Sequence, residues 1–74
     1  MVIKNVYERN IIWILTECKI PLTTKQIATK LDIHWSTTIK HLSGLYRRKM
    51  VYRTKIGKKA YWSTSRNKLN SFLR

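Results

Sequence analysis

The sequence is poor in acid, and the little it has lies at one end. Glu8, Glu17 and Asp32 are the only carboxylate side chains in 74 residues, against 16 Lys and Arg. Up to Ile39, five cations accompany the three acids; from Lys40 to Arg74 there are eleven cations and no acid. A field that one-sided repels itself and weakens the compact state unless something anionic binds it. A long polyanion is the partner such a surface fits.

Other absences narrow the field. A single cysteine, Cys18, excludes an internal disulfide. His34 and His41 are seven residues apart and Cys18 is remote from both, so no metal-ligand spacing is present. No metal, cofactor or small-molecule ligand is expected. The three carboxylates are far apart and no nucleophile–base pair stands out, which argues against an enzyme. One proline and two glycines leave no linker or low-complexity stretch, and residues 1–74 read as one domain. The longest apolar run, Ile11 to Leu15, is far short of the ~20 residues of a membrane span. The N-terminus lacks the pattern of a secretory leader. The expected location is therefore intracellular and cytoplasmic, with no membrane partner.

What is present is patterned. With 43% hydrophobic residues the chain is too apolar for disorder. A domain this short has a thin core, burying about 60–65% of its unfolded surface. The pattern predicts helices over 5–18, 24–31 and 35–49, a β-hairpin over 50–64, and a last helix over 66–73. Asn5 and Glu8 are spaced as a capping box for the first helix, whose stripe is Tyr7, Ile11, Ile14, Leu15 and Cys18; Lys19 supplies positive charge at its end. Val6 and Trp13 lie off that stripe, either half-buried or at a dimer contact. Thr23 and Gln26 form a second capping box, with Leu22 and Ile27 placed as a hydrophobic staple. The third helix is capped by His34 or Ser36 and buries Thr38, Leu42 and Leu45. Its first turn follows the second helix within a few residues, the helix-turn-helix arrangement. Val51 and Trp62 are expected to face the core, and Tyr52 and Tyr61 the opposite side, around a Gly57 turn. Leu69, Phe72 and Leu73 form one helical face, which docks on its own domain or on a second copy.

This order resembles a winged helix-turn-helix domain of the small prokaryotic and archaeal regulator type. The resemblance rests on Ile27-Ala28 and Leu31 in the second helix, and on Ile33, Ser36 and Thr37 in the turn. It continues through His41-Leu42 and Leu45 in the third helix and Met50-Val51 at the strand entry. Compact size and extreme charge also resemble winged-helix proteins of archaeal viruses and plasmids. The implied fold is α+β and mostly helical, with three helices, a two-stranded hairpin wing and a short C-terminal helix. Two departures bear on it. Lys49 stands where the family often has a left-handed Gly, so the helix is expected to end early. His34 stands where it often has Ser, so Ser36 is expected to take over the cap.

The implied function is sequence-specific binding of double-stranded DNA by a transcription regulator. The third helix would enter the major groove with Trp35, Ser36, Thr37, Lys40 and His41. Gly44 would permit close backbone approach on that face, or is merely a tolerated glycine. Trp35 either covers the turn or packs on a sugar or a thymine methyl; His41 either faces a phosphate or packs against the helix. Arg47, Arg48 and Lys49 would grip the backbone at the far end. Arg53, Lys55, Lys58 and Lys59 in the wing would straddle phosphates or reach into the minor groove. A homodimer through Trp13, Leu69, Phe72 and Leu73 is expected. The alternatives are an RNA-binding module and a protein-interaction adaptor using the same basic face.

Overall fold

The computed structural model describes residues 6–72. The expected cap at Asn5 and the dimer contact at Leu73 lie outside them. The described chain runs α1 (Val6–Glu17), β1 (Leu22–Thr23), α2 (Thr24–Leu31), α3 (Trp35–Arg47), β2 (Tyr52–Ile56), β3 (Lys59–Ser63) and α4 (Arg66–Phe72).

Local chemistry sets the helix ends. Around α2 the capping box is complete: Gln26 N–H donates to Thr23 Oγ1 at 3.1 Å and Thr23 N–H to Gln26 Oε1 at 2.9 Å. Leu22 and Ile27, the staple pair, are both buried. The helix closes on Asp32, at φ 54°, with Ile33 N–H donating back to Ala28 O at 3.1 Å. A turn of three residues then leads to α3.

At the start of α3 the expected handover to Ser36 does not occur. His34 is the cap, and its Nδ1 accepts from Ser36 N–H at 3.2 Å. Because Nδ1 is the acceptor, the Ser36 hydroxyl, 2.6 Å away, donates to the same atom. The imidazole substitutes for the usual hydroxyl, with Ser36 braced against it.

α3 ends at Arg47, two residues short of the expected 49, but this does not spare Lys49. Lys49 adopts φ 62°, the left-handed conformation usually given to glycine. Lys49 N–H reaches Tyr46 O at 3.0 Å and Met50 N–H reaches Leu45 O at 2.9 Å, the paired bonds of a Schellman ending. Met50 packs against the core and completes it. The ending is thus worth more than the backbone strain at Lys49. Lys49→Gly should stabilise the domain by about 1 kcal/mol. A urea titration should show a higher midpoint at unchanged slope; a lower midpoint would mean that side-chain contacts outweigh the strain.

The sheet has three strands rather than the two expected, in the antiparallel order β1-β3-β2. Leu22 pairs with Trp62 and Thr23 with Tyr61, so the residues that begin α2 also edge the sheet. Trp62, on the central strand, is fully buried among Ile11, Leu15, Ile27, Leu42, Leu45 and Val51. Its indole Nε1–H donates to Thr24 Oγ1 at 2.9 Å. That bond satisfies the one polar atom of the largest core side chain.

The last helix docks on its own domain. Leu69 is buried, and the Phe72 ring lies 4.9 Å from that of Tyr61. Lys68 Nζ donates to the carbonyls of Leu15, Thr16 and Cys18 at 3.3, 2.9 and 2.7 Å. Those are end carbonyls of α1, which has no basic residue in its own last turn. Lys19, expected in this role, is exposed beyond the helix.

Candidate nucleic-acid interface

Every buried side-chain polar atom among the described residues has a hydrogen-bond partner. None of them forms a cluster of three or more potential metal ligands. On the surface, α3 presents a candidate. Thr38, Leu42 and Leu45 are buried, and this holds the opposite side of the helix outward. Ser36, Lys40, Ser43 and Arg47 follow at spacings of four, three and four, which places them in one row along that side. Ser36, Lys40 and Arg47 are exposed and Ser43 half-buried. Ser43 is not among the residues expected at DNA, although its place seven residues after Ser36 puts it in the same row.

The flanks of the row divide differently from expectation. Thr37 is half-buried beside it. Trp35 is 59% exposed, its ring 6.4 Å from that of His34, so it stands out from the turn more than it covers it. Gly44 faces α1 instead of outward. A Cβ built there would meet Arg48 Nη2 at 3.9 Å and Glu8 Oε2 at 4.0 Å. Arg48 is turned the same way, bonding Glu8 through Nη2 and Gly44 O through Nε at 3.2 Å. His41 stacks on Tyr7 at 5.5 Å, with Nδ1 3.6 Å from Glu8 Oε2. Of its two readings, packing against the helix is the one its position matches. A carboxylate from α1 thus holds two of the groups expected at DNA.

The hairpin carries the second basic element. Its two-residue turn has Gly57 at φ 61° and no positive φ at Lys58, which is the type II′ pattern. Lys55, Lys58 and Lys59 are exposed, and no ion pair among the described residues involves them. Arg53 is exposed but anchored: its Cζ lies 4.4 Å from the Tyr46 ring centroid and 5.8 Å from that of Trp62.

Among the expected dimer residues, Trp13 stays 64% exposed, beside Val6 at 64%, in a groove lined also by Arg9, Asn10, Ile12 and Thr16. Leu69 is buried inside the protomer, and Phe72 is packed on Tyr61. Docking of α4 on its own domain thus buries Leu69, while Phe72 remains 36% exposed.

This arrangement matches a solved structure, that of reduced HlyU from Vibrio cholerae N16961, a winged-helix protein. The TM-score is 0.74 at 19% sequence identity, over 93% of this chain and 70% of that one. The fold is a winged helix. No family model matches the sequence, and no curated protein does. The archaeal, viral or plasmid affiliation expected from composition is not part of that likeness. Within the winged helix, α2 and α3 form the helix-turn-helix and the β2–β3 hairpin is the wing. No helix among the described residues is long and apolar enough to cross a membrane.

Proposed function

We propose that this protein is a sequence-specific double-stranded DNA-binding transcription regulator, with α3 in the major groove and the wing on the backbone or minor groove. One observation carries the reading. The outward row Ser36, Lys40, Ser43 and Arg47 stands on a helix pinned by three buried residues, in a chain half that contains eleven cations and no acid. A rigid helix of this kind fits a groove about 12 Å wide, and its first turns reach base edges. Lysine can bind guanine O6 and N7, and a threonine methyl can meet that of thymine. The aromatics suit an RNA-stacking platform less well, because Trp62 is buried and Tyr61 lies under Phe72.

A second copy packed on the Trp13 face would bring two basic faces to one duplex; sedimentation equilibrium decides that part. The main reading is tested by selecting a site from random duplexes and measuring Thr37→Ala with Lys40→Ala by fluorescence anisotropy. Discrimination between cognate and random DNA should fall by about 1–3 kcal/mol, more than affinity for random DNA does. Equal losses on both would take α3 out of base readout.

A further inference from the structure

Strand β2 forms one edge of the sheet, and a cleft of about 500 Å³ opens beside its start, lined by Tyr46, Arg47, Lys49, Val51, Tyr52 and Arg66. An adjoining cleft of about 290 Å³ continues along the same edge and adds Arg53, Thr54 and Asn70. Four cations, from α3, the turn after it, β2 and α4, converge here, and none of the three carboxylate side chains lines either cleft.

Two features set this apart from ordinary surface charge. First, two guanidinium groups are held on aromatic faces. Arg53 Cζ is 4.4 Å from the Tyr46 centroid, and Arg66 Cζ is 5.3 Å from that of Tyr52. Each ring restrains a flexible side chain and leaves the outer edge of its guanidinium open, a fork suited to phosphate oxygens. Second, Lys49 enters the cleft from a left-handed backbone position that glycine would occupy without strain. Backbone strain of this kind gathers where function requires a particular side chain.

We propose that this cleft is a second phosphate-contact track, through which Lys49, Arg53 at the base of the wing and Arg66 engage the DNA backbone away from the wing tip. The inference rests on duplex binding as the function, and it makes α4 part of the binding surface. Arg47 joins the two regions, since it lies on the outward row of α3 and also lines the cleft. Tyr46 and Tyr52 act as positioning residues.

Salt-titrated anisotropy on one duplex tests the proposal, with wild type, Lys49→Gly, Arg66→Gln, Tyr52→Phe and Tyr52→Leu. Each lost phosphate contact should flatten the plot of log K against log salt by about 0.9. Lys49→Gly should show this although it folds more stably, which separates binding from folding. Arg66→Gln should flatten the slope by a similar amount. Tyr52→Phe keeps an aromatic face and should behave as wild type; Tyr52→Leu should resemble Arg66→Gln. If wild type binds duplex but Lys49→Gly and Arg66→Gln keep its slope, the second track is overturned and the function stands. The same unchanged slope with new self-association would assign the cations to guarding the β2 edge, which also overturns it. No duplex binding by wild type would instead defeat the functional reading itself.

Discussion

Lys58→Gln with Lys59→Gln should flatten the salt dependence of duplex binding by about 1.8 in log K per log unit of salt. Each lysine seated at a phosphate releases condensed counterion, and each such contact contributes about 0.9 to the slope. Both side chains stand at the hairpin tip, exposed and outside any ion pair among the described residues. Glutamine keeps the backbone bonds of the Ile56–Lys59 pair, and Gly57 still supplies the positive φ of the turn. The fold should therefore be unaffected, and an unchanged urea midpoint checks this. Phosphate contacts position the protein without reading bases, so cognate and random duplexes should weaken by the same factor. A slope equal to that of wild type would remove the wing tip from the interface.

The largest expected effect on stability is at Trp62. Trp62→Ala should cost about 3–5 kcal/mol, from lost apolar burial and from the cavity left behind. A chain of this length is expected to hold only about 4–11 kcal/mol in all. The variant should therefore be partly or wholly unfolded near room temperature, with far-UV circular dichroism lost at low urea. The cost falls on several elements together. The indole packs among residues of α1, α2 and α3, pairs with Leu22 across the sheet, donates to Thr24, and meets the Tyr46 ring edge-on at 6.2 Å. Trp62→Phe separates the contributions. It keeps most of the volume but strands Thr24 Oγ1 without its donor, and should cost about 1–3 kcal/mol. Equal, small losses for both variants would show that the core repacks around the gap.

The parts of the fold that were legible in the sequence are those whose cause is local. The bounds of α2 follow from the Thr23–Gln26 box and the staple, all within a few residues. The hairpin follows from two β-rich runs around Gly57. The buried row Thr38, Leu42 and Leu45 follows from helical period. Strand β1 was not legible, because its two residues were already accounted for as cap and staple. Their pairing with β3 exists only once residues distant in sequence have met.

Among the site residues, the same divide separates Lys40 from Gly44. Both lie away from the buried row, but helical period alone leaves Gly44 on a flank that can be outward or inward. The approach of α1 decides it, carrying Glu8 to Arg48 and His41. The left-handed Lys49 belongs to the same group. Local propensity argues against it, and the paired carbonyl bonds together with the packing of Met50 overrule that propensity. Likewise, α4 was readable as an amphipathic helix, but its host was not. Lys68 reaches the end carbonyls of α1, and this ties α4 to its own domain.

By itself, then, the sequence determined the order of the helices and the hairpin, the buried row of α3 and the extreme basic charge of the second half. These depend on period and composition, which need no partner segment. Tertiary structure alone decided which cations remain free and which are neutralised or clamped on rings. A side chain's electrostatic surroundings are set by distances in space, and contacts between remote segments create those distances.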